Sequence, residues 1–185
     1  METPLFNIND GQEVIGVRSI NIPVVQKSPQ TKVIDLLKRA LLEEIIAWFQ
    51  YNSVRNVISG PERPSIEGFF KEAEMDELYD HAEKIKQRLT ELGDNLQFLQ
   101  TTDMKALFER TPNQLVPLTE LSTQAAVILN LNAERAAVNT YNELISAAHD
   151  SGDSVTCLMA KNILTDEEEH LRALKDFADD LKLEY

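Results

Sequence analysis

Residues 160–174 read AKNILTDEEEHLRAL, and the decision about the fold turns on where Glu167 and His170 fall within that run. The apolar positions around them recur at alternating spacings of four and three: Thr156, Ala160, Ile163, Glu167, His170, Leu174, Phe177 and Leu181. That period marks one face of an amphipathic helix. A glutamate and a histidine three residues apart therefore sit in the middle of the stripe that ought to be apolar. A Glu-x-x-His pair alone is ordinary surface chemistry on a helix. Its meaning depends on the other helices.

Three more segments show the same period and the same interruption. Helix A, Pro29 to Ile58, aligns Leu37, Leu41, Glu44, Trp48 and Tyr51. Helix B, from Ser65 to about Gly93, aligns Phe70, Glu74, Glu77, His81, Ile85, Leu89 and Leu92. Helix C, Leu118 to His149, aligns Val127, Leu131, Glu134, Val138, Tyr141 and Ile145. Gly60, Pro61 and Pro64 separate A from B, and Gly152 separates C from the fourth helix, D. The B–C link carries Pro112 and Pro117 and runs to about 25 residues, where antiparallel neighbours need only about 2–8. Four amphipathic helices with one long crossover predict an all-α four-helix bundle over 29–185. Residues 1–28 read as an irregular extension, with one edge strand expected in the β-branched stretch Val14–Val25.

An unpaired carboxylate in a core is costly enough that it neutralises or finds a partner. Here each stripe carries one at mid-helix: Glu44, Glu77, Glu134 and Glu167. His81 and His170 join them, four residues after Glu77 and three after Glu167. Four carboxylates and two imidazoles neutralise two divalent cations, and hard oxygens mixed with imidazole suit iron or manganese, with zinc also possible. The A–B and C–D halves echo one another, which predicts a pseudo-twofold site. Tyr51 and Tyr141 stand at positions from which they could donate hydrogen bonds or electrons near a metal site, but core packing is the favoured reading; His149 is read as a helix-dipole partner and Cys157 as a small buried side chain.

The rest of the composition narrows the class. A net charge of −13 over 185 residues disfavours direct DNA binding and favours attraction of cations. One cysteine forms no internal disulfide, and the N-terminus lacks the basic and apolar tracts of a secretory signal, so the cytoplasm is the expected compartment. No apolar run approaches the roughly 20 residues of a membrane span.

At Leu41–Tyr51 (LLEEIIAWFQY), Asn132–Arg135 (NAER), Asp76–Ala82 (DELYDHA) and Asp166–His170 (DEEEH), the chain resembles the bacterioferritin and Dps-like mini-ferritin group of the ferritin-like superfamily. The resemblance covers about Thr31 to Leu183. It implies a di-iron ferroxidase that oxidises ferrous iron with dioxygen or hydrogen peroxide, for iron storage and protection from oxidative stress. Glu44 and Glu134 would be terminal ligands, Glu77 and Glu167 bridges, and His81 and His170 one imidazole for each of two iron ions per subunit. The ferritin-like group that the chain resembles spaces the helix B pair by three residues; against that pattern the four-residue step here implies either a one-residue π-bulge or the substitution of Glu74 or Asp80 for a ligand. Leu78 stands near the place of the bacterioferritin haem-ligating methionine, so no haem is expected. The short stretch after helix D favours a homo-oligomer of twelve subunits over a larger cage. Two other classes stay open: a di-metal redox enzyme such as a manganese catalase or an oxygenase, and a metal-free helical interaction protein whose inward acids pair with lysine or arginine.

Overall fold

The structure is a computed structural model that describes residues 29–102 and 122–185. The expected edge strand at Val14–Val25, and residues 103–121 of the B–C link, lie outside the described residues. Within them the secondary structure is helical throughout. The elements are α1 (Pro29–Val54), α2 (Arg63–Asp76), α3 (Ala82–Glu91), the short α4 (Phe98–Thr101), α5 (Thr123–Ser151) and α6 (Ser154–Asp180). A π turn, Glu77–His81, joins α2 to α3 without a break, so the pair forms helix B.

Helix ends follow local chemistry. Helix A stops four residues short of the expected Ile58: α1 gives way at Arg55–Val57 to a tighter 3₁₀ turn before Gly60, at φ 91°, reverses the chain. Helix B starts two residues earlier than expected, at Arg63, because Pro64 fits a first turn that needs no N–H. Ser122 caps α5, its side chain accepting the Ala125 N–H at 3.1 Å. Asp153 caps α6 by accepting the Thr156 N–H at 2.9 Å. Between them Gly152, at φ 75°, ends α5 in the left-handed conformation.

Pair contacts set the helix directions. Lys38 meets Asp94 at 2.6 Å while Asn52 donates to Glu74 at 2.8 Å, so helix B runs antiparallel to α1. The Ser59 N–H donates to Thr123 Oγ1 at 2.9 Å, and Tyr141 pairs with Glu44, so α5 is antiparallel to α1 as well. Arg88 reaches Thr156 and Asp153, both at 2.8 Å, which places α6 antiparallel to helix B. Helix B therefore ends, and α5 begins, at opposite ends of the bundle. Those ends stand apart by about the length of α1, about 39 Å for 26 residues at 1.5 Å rise. That separation agrees with the crossover expected from the long, proline-bearing link.

Packing divides the core into two apolar clusters. One holds Leu37, Leu41, Ile85, Leu89, Leu144 and Ile163; the other holds Val54, Ile66, Phe70, Leu131 and Leu174. On every helix the glutamate or histidine of interest lies between residues of the first cluster and residues of the second. Trp48, Val138, Ile145, Phe177 and Leu181 are half-buried, at the margins of their stripes.

The α5–α6 corner offers a direct test of this folding logic. A Cβ added at Gly152 would meet nothing within 4 Å, so the cost of Gly152→Ala is purely conformational. We expect Gly152→Ala to lower the unfolding free energy by about 1 kcal/mol in denaturant titrations with an unchanged m-value.

Candidate metal centre

The six side chains singled out in the sequence meet in one layer between the two apolar clusters. Glu44, Glu77, His81, Glu134, Glu167 and His170 are all buried, the most exposed being His170 at 7%. Their donor atoms form two overlapping sets: Glu44, Glu77, His81 and Glu167 in one, and Glu77, Glu134, Glu167 and His170 in the other. Within each set every atom lies within 4.8 Å of the rest. Glu77 and Glu167 belong to both.

Glu77 and His81 open and close the π turn of helix B, and both are buried in the bundle interior. Glu74 and Asp80 are directed elsewhere. Glu74 accepts from Asn52 at 2.8 Å and pairs with Arg55 at 3.0 Å. Asp80 is half-exposed and pairs with Lys84.

Each imidazole turns its Nδ1 inward and its Nε2 outward. His81 Nδ1 lies 3.0 Å from Glu167, 3.3 Å from Glu77 and 3.4 Å from Glu44. His170 Nδ1 lies 3.4 Å from Glu77, 3.8 Å from Glu167 and 4.0 Å from Glu134. The outward nitrogens face aspartates on the opposite helix: His81 Nε2 is 3.4 Å from Asp166, and His170 Nε2 is 3.5 Å from Asp76. Such a carboxylate orients an imidazole and keeps its inner nitrogen available as a ligand.

Two tyrosines complete the layer. Tyr51 donates to Glu134 and Tyr141 donates to Glu44, each across the α1–α5 seam. The reading of these rings as packing alone is therefore incomplete: both are fully buried, and both also hold a carboxylate oxygen. The signal was present in the sequence, since Tyr51 follows Glu44 by seven residues and Tyr141 follows Glu134 by seven. Asp76 and Asp166 had a parallel signal, each directly preceding an inward glutamate.

The donor set fits a pair of cations on its own chemistry. Glu77 Oε1, both carboxylate oxygens of Glu167 and His170 Nδ1 are buried without a hydrogen-bond partner. Buried polar atoms are rarely left so, and here they crowd one another without bonding. Among the described residues no lysine or arginine pairs with any of the four glutamates; the cations near them are the two histidines.

Protons can balance the charge of the metal-free layer. Burial lifts the Glu44 carboxyl well above its ordinary range, and the Glu77 and Glu167 carboxylates lift it further. Burial, then Glu167 and Glu77, does the same to Glu134. For Glu77, burial opposes ionisation, but contacts with Glu44, His170 and His81 outweigh it and hold the group low. Glu167 is also lowered, since His170 and His81 overcome burial and the Glu77 charge. Burial opposes charge on both imidazoles, yet Glu167, Glu44 and Glu77 raise His81, and Glu167 with Glu77 push His170 up to about 12. Burial and the neighbouring carboxylates thus favour the protonated form of Glu44 and Glu134, and the carboxylates favour the charged form of both imidazoles. Burial, followed by the neighbouring carboxylates, also keeps both tyrosines protonated as donors.

A family model for the ferritin-like domain matches residues 34–183. The chain belongs to the ferritin-like family. No curated protein matches it in sequence. Among solved structures, a Dps protein from Bacillus brevis is similar at 18% identity and TM-score 0.70, covering 82% of this chain and 98% of that one. Dps from Staphylococcus aureus matches at 16% identity and TM-score 0.70, over 82% and 97% of the two chains. A ferritin-like diiron-carboxylate protein from Bacillus anthracis matches at 18% identity and TM-score 0.64, over 82% and 99%. These likenesses show the ferritin-like bundle.

The proton balance makes a signed prediction. Glu44, Glu134 and both histidines have raised values in the fold, so the stability they confer is greatest when protonated and is lost as pH rises. Glu77 and Glu167 are lowered, and their contribution is already complete above the ordinary carboxylate range. Chelator-treated protein should therefore melt at falling temperature between about pH 5 and 9. Metal must displace those protons, so the increment given by added divalent cation should grow over the same range. Calorimetric melting with and without cation checks both slopes.

Proposed function

We propose that the protein is a di-iron ferroxidase, binding ferrous iron and oxidising it with dioxygen or hydrogen peroxide, in iron storage or detoxification and oxidative-stress protection. The observation that carries this reading is the pair of overlapping donor sets sharing Glu77 and Glu167. In it, Glu44 and Glu134 are terminal carboxylates, Glu77 and Glu167 bridge, and His81 and His170 each serve one iron. Four carboxylates balance two ferrous ions and favour the ferric product still more, because harder cations prefer anionic oxygen.

Iron is the substrate here. Two ferrous ions give one electron each; hydrogen peroxide takes both electrons and two protons and leaves two waters. Dioxygen, taking the same two electrons and two protons, leaves hydrogen peroxide. The chain holds the reactants in place. Tyr51 and Tyr141 fix one oxygen of Glu134 and Glu44, the aspartates Asp166 and Asp76 face the outer nitrogens of His81 and His170, and the apolar clusters on either side keep bulk water out.

The same donors would serve a manganese catalase or another di-metal redox enzyme. A metal-free interaction role would require lysine or arginine partners for the four glutamates, and none pairs with them among the described residues. No helix among the described residues is long and apolar enough to cross a membrane. The reading places the protein in the cytoplasm as a homo-oligomer, with twelve subunits favoured by family resemblance and direct DNA binding disfavoured by the charge of −13.

Anaerobic ferrous titration of metal-free protein, followed by addition of oxidant, tests the reading. We expect about two ions per chain, with binding and oxidation both lost in Glu44→Ala and Glu167→Ala. An absence of binding to the unaltered protein, or binding unchanged in both variants, would sink it.

A further inference from the structure

Two of the large apolar side chains left on the surface stand side by side, away from the metal layer. Val155 and Leu158, 59% and 62% exposed, lie three residues apart at the start of α6, so they share one face of that helix. With Ser154, Met159 and Asn162 they form one side of an open groove of about 490 Å³, and Lys84 of α3 forms the other. Lys84 is paired along its own helix with Asp80. None of the six metal donors lines this groove. A lone exposed leucine is ordinary, but an apolar strip along a groove marks a surface that something covers.

The chain carries a segment whose pattern, charge and attachment suit it. Residues 20–24 read INIPV, with Ile20, Ile22 and Val24 at every second position. That period puts all three side chains on one side of an extended backbone. Pro23 has no N–H to give to a sheet, whereas an apolar edge laid on a helix face needs no backbone ladder. Arg18 is the one charged residue between Val14 and Val25, a cation beside a chain whose net charge is −13. Residues 1–28 join the described fold at Pro29. Lys38 meets Asp94 and Arg88 meets Asp153, so the start of α1, the end of helix B and the start of α6 lie at the same end of the bundle. The seven steps from Ile22 to Pro29 reach about 23 Å when extended, roughly the width of two helices. The groove is within that reach.

We propose that residues 20–24 of this chain dock in the groove between α3 and α6, laying Ile20, Ile22 and Val24 over Val155 and Leu158. Tethering favours this occupant over a second copy, because a segment on a short linker is present at an effective concentration on the order of millimolar. Charge favours it too, since two copies at −13 repel one another while the segment brings Arg18. Docked there, the segment covers the apolar strip and bridges helix B and α6, the two helices that carry His81 and His170. The inference is independent of the ferroxidase reading.

The test is made in the full chain and leaves every metal donor in place. Ile22→Ser, Leu158→Ser and the double variant are compared by calorimetric melting. With nothing over it, an exposed Leu158 is replaced at almost no cost. Docking predicts that each single variant melts about 3 °C lower. The double variant should melt no lower than the worse single, because both changes break the same contact. A second measurement does not depend on stability: Ile22→Cys and Leu158→Cys are combined with Cys157→Ser, which removes the native thiol, and the protein is mildly oxidised. Residues in contact lie within disulfide range, so a disulfide closed inside one chain is expected on a non-reducing gel. Neutral or additive melting shifts, or failure of that disulfide to form, would overturn the proposal. A disulfide between two chains would overturn it in favour of a second copy as the occupant.

Discussion

Four carboxylates gathered into one buried layer repel one another, and no bundle tolerates them unless something neutralises them. Every other feature of this molecule answers that demand. The two histidines are its nearest cationic partners, and they are titratable groups whose protons can leave, where a lysine or arginine would have closed the site permanently. Protons on Glu44 and Glu134 and on the imidazoles balance the layer when it holds no metal. Two divalent cations can take the place of those protons without changing the net charge. Either set of positive charges balances the four carboxylates.

The architecture follows from holding that layer still. Two apolar clusters grip the helices on either side of it and supply the burial that lets a charged mid-section persist. Helix ends are secured by the Ser122 and Asp153 caps, and Arg88 ties helix B to the start of α6. Across the layer the bonding is reciprocal: a tyrosine from each of α1 and α5 holds a glutamate of the other, and an aspartate from each of helix B and α6 faces a histidine of the other. This pseudo-twofold pattern gives both donor sets the same support.

The parts of the site that repeat along a single helix were legible in the sequence. A glutamate at Glu44 or Glu134 breaks an otherwise apolar stripe, and such a break can be counted without knowing what the stripe faces. The four-residue step from Glu77 to His81 departs from the family's spacing, and the structure has a π turn at that step. What stayed hidden depends on register between helices. Whether Tyr51 only packs or also donates is decided by where α5 places Glu134, and whether Asp166 is a solvated charge depends on how close His81 comes. Spacing along one helix offers the Glu-to-Tyr and Asp–Glu steps as a hint, but not the register between helices that brings the partners together. Helix ends were also displaced by a few residues, because 3₁₀ turns and proline in a first turn move a boundary that hydrophobic spacing cannot locate.

The account stands on Glu77 and Glu167 being shared between two cation sites. Anomalous diffraction at the iron edge, from crystals loaded with ferrous iron in the absence of oxygen, measures this directly. It should show two peaks per chain, one toward Glu44 and His81 and one toward Glu134 and His170, with Glu77 and Glu167 in contact with both. One peak, peaks away from these two glutamates, or none at all would contradict it.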